Sequence, residues 1–204
     1  MCRATLSFSK MTALIGYPGA GKTVGLTYFR RMHDNVIYMV VRKSMSTKEF
    51  YLEMLNEVGF EGDAVDTSLY NIINLIVTKV KLQSGKLLLI IDEAGKFKPS
   101  QLEYIHELRD QTEENLGIIL AGPEYFYDNL YKWKQKKVVG IPEVFRRIQT
   151  FETLRDSKAS EMRAICREMG ISDHLIINEL VRGCENLAEL MRRINDYLSN
   201  GSID

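Results

Sequence analysis

The chain has 204 residues, 45% of them hydrophobic and 26% charged, which suits a globular protein with one sizeable core, or a core plus a small appended subdomain. Lysine and arginine number 27, as do aspartate and glutamate, which excludes an overall positive field for nucleic acid and leaves only a local patch for such binding. The three cysteines lack metal-ligand spacing, no apolar run reaches membrane-spanning length, and the first residues lack the apolar core of a signal peptide, so we expect a cytoplasmic protein with reduced thiols.

The first motif follows a short apolar run. Met11 to Ile15 predicts a buried strand, and Val24 to Arg31 can continue as a helix. Between them lies a match to G-x-x-x-x-G-K-[ST], the phosphate-binding loop, made by Gly16, Tyr17, Pro18, Gly19, Ala20, Gly21, Lys22 and Thr23. Glycines let backbone N–H groups face an anion, and the helix that starts near Val24 adds its positive dipole. The motif predicts ATP binding, with Lys22 reaching the β- and γ-phosphates and Thr23 ligating Mg²⁺.

Three further elements follow before the second motif. Val36 to Val41 predicts a strand. A helix is predicted next. Ser46 is its expected N-cap, Glu49 completes a capping box, and Gly59 ends the helix. Leu69 to Leu82 carries apolar residues at helical spacing and predicts another helix.

The second motif ends an unbroken apolar run. Leu87 to Ile91 is typical of a strand buried on both faces of a parallel sheet, and Asp92 and Glu93 follow directly. Ligands of open α/β sheets bind at the carboxyl ends of the strands. We therefore expect Asp92 to hold Mg²⁺ through its water shell and Glu93 to orient and deprotonate the attacking water. The alternative is that the two acidic residues form a solvated turn.

The rest of the chain continues the alternation and then becomes helical. Pro99 and Ser100 predict the start of a helix, with Glu103 completing a capping box. The further predictions are a strand at Leu116 to Ala121, a helix at Glu124 to Trp133, a loop at Val138 to Pro142, a strand at Arg147 to Phe151, and helices near 157–169, 172–181 and 185–198. This order predicts an α/β fold with helices on both faces of a parallel sheet, followed by a helical lid. We set the core at residues 1–152 and the lid at residues 153–204.

The two motifs, the strand ending at Gly122, the segment Phe145 to Ile148 and the helical lid together resemble the AAA+ ATPases. Within them the chain looks most similar to the transposition ATPases of the phage Mu B type, whose relatives include the ATPase subunits of Tn7-like transposons and secretion-associated ATPases of the ExeA type. The similarity to this subgroup rests on the helix that contains Leu108 to Thr112 and leads into the fourth strand. The resemblance implies a five-stranded sheet of order 5-1-4-3-2 and ATP bound between neighbouring subunits.

The resemblance also implies an arginine that reaches the neighbour's γ-phosphate. Arg146 and Arg147 stand at the matching position, and a guanidinium there would neutralise charge on the transferred phosphoryl group. The alternative is a surface arginine pair beside acidic residues. Pro123 stands where a polar γ-phosphate sensor is usual, and Ala188 where the family has a lid arginine, for which Arg192 or Arg193 can substitute. We therefore expect slow hydrolysis, stimulated by assembly or DNA.

Two small basic segments are candidate DNA contacts. Lysines bind phosphates irrespective of sequence, and aromatic residues stand beside the first of these segments. The candidates are Lys132, Lys134, Lys136 and Lys137, next to Tyr131 and Trp133, and Lys96 and Lys98 after the second motif. The alternative is that Trp133 packs on the lid and the lysines form a solvated face.

The resemblance implies an ATP- and Mg²⁺-dependent homo-oligomer or filament that binds double-stranded DNA non-specifically, with a transposase as a further partner and no membrane contact. Two alternatives remain open. One is a nucleotide-dependent assembly module of a secretion or membrane apparatus. The other is a nucleotide switch with little hydrolysis and no DNA partner.

Overall fold

The structure, a computed structural model, describes residues 1–200, so residues 201–204 of the predicted lid lie outside the described residues. The chain forms two compact units. The first contains residues 1–15 and 23–153, and the second contains residues 16–22 together with the chain from residue 154 onward.

A five-stranded parallel sheet forms the centre of the first unit. Its strands are β1 (Met11–Ile15), β2 (Val36–Val40), β3 (Leu87–Asp92), β4 (Leu116–Gly122) and β5 (Thr150–Thr153). The order is β2-β3-β4-β1-β5, which confirms the order implied by the resemblance. All residues of β1, β3 and β4 are buried, which explains why their sequences are mostly apolar rather than alternating between apolar and polar residues.

Helices flank this sheet. They are α1 (Cys2–Ser7), α2 (Lys22–Arg31), α3 (Thr47–Glu57), α4 (Leu69–Leu82), α5 (Pro99–Gln111), α6 (Glu124–Gln135) and α7 (Ile141–Arg147), with a 3₁₀ turn at Ala94–Lys96. The predicted capping box of α3 is present, since Ser46 and Glu49 exchange hydrogen bonds. The apolar faces of α3 and α4 contribute Phe50, Met54, Leu55, Ile72 and Ile76 to the core.

The structure corrects three local predictions. The fifth strand begins at Thr150 rather than Arg147. The expected loop at Val138 to Pro142 ends in the first turn of α7, because Pro142 occupies an early helical position where its missing N–H costs nothing. The N-terminus of α5 is closed by Gln101, whose Oε1 accepts from the Lys98 N–H at 2.9 Å, and not by a capping box of Ser100 and Glu103.

Helix α1 was not predicted, and it packs against the sheet. The Thr5 hydroxyl is buried and lies 3.0 Å from the Thr12 hydroxyl of β1. The Thr5 carbonyl approaches Gly117 of β4 so closely that a Cβ atom at that position would collide with it. The pairing of α1 with the sheet therefore depends on a glycine in a fully buried strand.

The second unit contains α8 (Ala159–Glu168), α9 (His174–Val181) and α10 (Leu187–Asn200). Its buried residues include Met162, Cys166, Ile177, Leu180, Leu190 and Ile194. A side-chain hydrogen bond of 3.1 Å from Arg163 to Asn178 joins α8 to α9. Within residues 1–200, no helix is long and apolar enough to cross a membrane.

Candidate functional site

The phosphate-binding loop occupies residues 16–22 of the second unit. Gly19 and Gly21 have φ angles of 93° and 89°, in the left-handed region that favours glycine. The Lys22 ammonium donates to the carbonyl of Gly16 at 2.6 Å and to that of Tyr17 at 3.1 Å. These two hydrogen bonds fold the Lys22 side chain back onto the start of the loop.

The start of α10 packs against this loop. The Ala188 N–H donates to the Gly19 carbonyl at 3.2 Å. The side chain of Leu187 fills the space that a Cβ atom on Gly21 would need, and Asn186 stands 3.0 Å from the corresponding position on Gly19. Glycine at these two positions therefore gives both the backbone conformation and the close approach of α10.

The two arginines offered by the sequence as substitutes for a lid arginine have other partners. Arg193 donates to the carbonyls of Leu180 and Arg182 at 3.2 and 2.7 Å, and to Glu189 at 2.6 Å. Arg192 is 70% exposed and lies 3.6 Å from Asp196. Arg193 thus stabilises the packing of α9 and α10, and Arg192 forms a weak surface ion pair.

Asp92, at the end of β3, is buried and accepts three hydrogen bonds. Only 2% of it is exposed. Its Oδ2 accepts from the Thr23 hydroxyl at 2.6 Å and from the Tyr38 hydroxyl at 2.7 Å, while its Oδ1 accepts from the Glu93 N–H at 2.8 Å. Three donors offset the cost of burying this carboxylate. Burial, and then the carboxylate itself, raise the pKa of Tyr38, so its hydroxyl remains a donor.

Glu93 adopts an unusual backbone conformation. Its φ and ψ are 60° and 29°, in the left-handed region, which costs about 1 kcal/mol or more for a residue other than glycine. The side chain is 43% exposed, and its Oε2 lies 3.2 Å from the ammonium of Lys96. Strain of this kind concentrates at functional sites, which is consistent with the predicted role of Glu93.

The pairing of Thr23 with Asp92 fits a magnesium site. A hydroxyl and a carboxylate are hard oxygen donors, and Mg²⁺ in phosphate-binding enzymes uses one or two such groups together with waters and substrate phosphates. No cluster of three or more His, Cys, Asp or Glu side chains that could hold a metal occurs among residues 1–200. Thr23 and Asp92 by themselves offer partial coordination, which suits a metal that binds together with a nucleotide.

The two arginines of α7 differ in their surroundings. Arg147 pairs with Asp110 of α5: a terminal nitrogen donates to Oδ2 at 3.0 Å, and Nε lies 2.9 Å from Oδ1 without hydrogen-bond geometry. Arg146 is exposed, and its side chain makes no ion pair or hydrogen bond within residues 1–200. Arg146 is therefore available to another molecule without breaking a contact, whereas Arg147 would have to leave Asp110.

The predicted basic segments are mainly solvent-facing. Lys132, Lys136, Lys137, Lys96 and Lys98 are exposed. Lys134 is partly buried, with its ammonium 4.0 Å from the centre of the Phe145 ring, a cation–π arrangement. Trp133 packs against the core of the first unit rather than standing free for stacking, whereas the alternative prediction had it pack on the lid.

Sequence reasoning missed Tyr38 and Asp110 as contributors to the site. Tyr38 was visible as the only hydrogen-bonding side chain in the apolar run of β2. Its contact with Asp92 depends on the register of β2 against β3, in which Val40 pairs with Asp92. Asp110 lies on an amphipathic helix with many charges, and nothing in its spacing indicates a partner 37 residues away.

Comparison with known proteins gives two kinds of similarity. A family model described as an AAA domain matches residues 7–130. Among solved structures, the chain is similar to the ORC1 protein of Aeropyrum pernix in complex with DNA, with a TM-score of 0.63, 14% identity, and coverage of 92% of this chain and 53% of that one. No curated protein matches the chain.

The ORC2 protein of Aeropyrum pernix is also similar in two forms. Its ADPNP–ADP complexes give a TM-score of 0.73 at 15% identity, covering 97% of this chain and 59% of ORC2. Its ADP form gives 0.67 at 16% identity, covering 100% of this chain and 64% of ORC2. The chain thus spans between half and two thirds of the length of these proteins, and at such identities the likeness shows the fold alone.

Proposed function

We propose that this chain, which belongs to the AAA domain family, binds ATP with Mg²⁺ and hydrolyses it slowly. The observation that carries the proposal is the hydrogen bond of 2.6 Å between Thr23 and Asp92. It joins the last residue of the first sequence motif to the first acidic residue of the second, although 69 residues separate them in the chain. Two motifs that were recognised separately thus bring together a hydroxyl that can ligate Mg²⁺ and a carboxylate that can hold it through its water shell, while waters and nucleotide phosphates would supply the remaining ligands.

In this proposal the residues divide into three roles. Backbone N–H groups of residues 16–24 and the Lys22 ammonium bind the phosphates. Thr23 and Asp92 hold Mg²⁺, which when bound neutralises phosphate charge. Glu93 orients the attacking water and accepts its proton. The functional division that goes with these roles is a nucleotide-binding core of residues 1–152 and a helical lid of residues 153–204.

We further propose that the chain works on DNA, as a transposition ATPase of the phage Mu B type that assembles with ATP. The support is the exposure of five of the six candidate lysines, the resemblance of the sequence, and the fold shared with an ORC1 protein that was solved in complex with DNA. The zero net charge means that such binding depends on these local lysines. A transposase is the partner that this function requires.

Nucleotide binding is tested by Lys22→Ala. Loss of the loop's cation leaves phosphate charge unpaired, so we expect ATP affinity to fall by about 100-fold or more. This estimate follows because each charge-assisted hydrogen bond contributes about 1.5–3 kcal/mol. The measurement is calorimetric titration with ATP and Mg²⁺. Lys43→Ala is the matched control, since Lys43 is an exposed lysine outside the motif. Equal affinities of the Lys22→Ala and Lys43→Ala proteins would disprove the assignment of the phosphate-binding loop.

DNA binding is tested by the mobility of duplex DNA with ATP, with ADP and without nucleotide. We expect retardation with ATP, and we expect Lys136→Ala/Lys137→Ala to weaken it and to lower the slope of log affinity against log salt by about 1 to 2. The control is Lys43→Ala/Lys81→Ala, which removes the same charge from exposed lysines elsewhere. Identical loss in both double variants would indicate a general charge effect, and no retardation at all would favour the secretion-module or switch alternatives.

A further inference from the structure

Tyr38 lies in β2 with its side chain about half buried, next to the carboxylate at the end of β3. Its hydroxyl is 2.7 Å from Asp92 Oδ2. Neither sequence motif contains it, and the resemblance assigns it no role. The other side chains of β2 are apolar, so this hydroxyl is the one polar group that the strand contributes.

The hydrogen bonds of Asp92 show what the Tyr38 hydroxyl does. Oδ2 accepts from two hydroxyl groups, and Oδ1 accepts from the Glu93 N–H. A carboxylate offers about four acceptor positions, so three filled positions fix the orientation of its plane. The Thr23 hydroxyl is itself a predicted metal ligand, whereas the Tyr38 hydroxyl, which donates to Asp92 and also interacts with Thr23, is not.

We propose that Tyr38 is a positioning residue for the magnesium site and acts through Asp92. Tyr38 holds the carboxylate from the side of β2, so that Asp92 keeps its orientation when the Thr23 hydroxyl turns toward a metal ion. Groups that hydrogen-bond a metal-binding carboxylate set its direction and so the affinity of the site. This inference rests on the proposed ATP and Mg²⁺ binding of the chain.

The test is Tyr38→Phe, which removes the hydroxyl and keeps the ring. Affinity for a non-hydrolysable ATP analogue is measured by calorimetry in EDTA and then at rising Mg²⁺ concentrations. We expect unchanged affinity in EDTA and an increase of about 10-fold or more in the Mg²⁺ concentration that gives half of the full metal effect, the usual effect of losing such a partner. A merely structural role of Tyr38 would lower the affinity equally with and without Mg²⁺.

Tyr51→Phe is the matched control, because it also removes a buried tyrosine hydroxyl, one that lacks a hydrogen-bond partner. Its Mg²⁺ requirement is expected to equal that of the wild type, and melting curves of all variants check that they fold. A double-mutant cycle with Asp92→Asn gives a second measurement: Tyr38→Phe should add little to the Mg²⁺ defect of Asp92→Asn if it acts through that side chain. Fully additive effects would overturn the inference.

The outcomes also separate this inference from the proposed function. If the wild type binds the analogue with a clear Mg²⁺ effect and Tyr38→Phe has the same Mg²⁺ requirement, the role of Tyr38 is wrong and the proposed function stands. If the wild type does not bind the analogue at any Mg²⁺ concentration, both are wrong. If Tyr38→Phe does not fold, Tyr38→Gln, which keeps a donor, takes its place and is expected to raise the Mg²⁺ requirement less than Asp92→Asn does.

Discussion

At the scale of single residues, Glu93 combines a strained backbone with an exposed carboxylate. If it is the general base, Glu93→Gln should retain ATP binding and slow hydrolysis by about 10²–10⁴-fold. The amide cannot accept the proton of the attacking water, although it fills the same space. The measurement is phosphate release at saturating ATP, together with calorimetric ATP affinity.

Glu124→Gln is the control for this prediction. Glu124 lies in the first turn of α6, just beyond the end of β4, and is exposed. It is the next acidic candidate if Glu93 is not the base. A Glu93→Gln protein that hydrolyses ATP at the wild-type rate, with a slow Glu124→Gln protein, would transfer the role to Glu124.

Residues inside the two motifs could be predicted individually because each motif fixes order and spacing along the chain. Thr23 and Asp92 were assigned to one metal ion on that ground, and the structure places their side chains in contact. Tyr38 could not be found in this way, since its contact depends on which strand lies beside β3 and in what register. Register between strands is a property of the folded sheet, and a single sequence does not encode it as a local pattern.

At the scale of elements, the contact of α1 with β4 predicts a large effect for Gly117→Ala. The added Cβ atom would meet the Thr5 carbonyl, a backbone atom that can move only with the helix, and would lie 3.3 Å from Leu88. Overpacking of this kind costs about 1–3 kcal/mol. The measurement is the free energy of unfolding in urea.

Gly85→Ala gives the matched comparison for Gly117→Ala. Nothing lies within 4 Å of a Cβ atom built on Gly85. Alanine lowers the conformational entropy of the unfolded chain. The free energy of unfolding of this variant should therefore be unchanged or higher, by up to about 1 kcal/mol. Equal stability of the two variants would mean that α1 can move away from Gly117 at no cost and does not stabilise the sheet.

Helices and strands were predicted correctly where the sequence marks both of their ends. Strand β1 and helix α4 have the predicted limits, because polar or glycine residues flank a strong apolar pattern on both sides. Helix α7 was not predicted: the expected loop runs to Pro142, although proline is equally suited to the first turn of a helix. The error shifted the predicted fifth strand onto Arg147, which the structure places in the last turn of α7.

At the scale of the whole molecule, a shared active site would require one subunit to complete another. We expect Arg146→Ala to leave ATP binding nearly intact and to lower hydrolysis by about 10³-fold or more, the usual worth of an arginine finger. Mixing it with the Glu93→Gln protein should restore some activity, since one partner keeps Glu93 and the other keeps Arg146. The measurement is phosphate release across mixing ratios.

Arg147→Ala is the control in the same mixing experiment. Its partner Asp110 is in the same chain, so the first effect expected is a loss of at most about 1 kcal/mol of stability, as for other partly exposed ion pairs. If phosphate release recovers when Arg147→Ala is mixed with Glu93→Gln, and not when Arg146→Ala is, then Arg147 and not Arg146 is the arginine finger. Inactive mixtures of folded, ATP-binding and co-assembling variants would rule out a mechanism in trans.

The position of β1 in the sheet has a consequence for synthesis on the ribosome. Residues 11–15 pair with residues 116–122 and 150–153, so the strand is made long before either neighbour exists. At ordinary translation speeds this interval is on the order of 5–20 s, during which a largely apolar segment of the nascent chain has neither of its neighbouring strands. We expect this segment to recruit a chaperone during synthesis. We also expect codon changes that slow translation between β1 and β4 to lower the yield of folded protein without altering one amino acid.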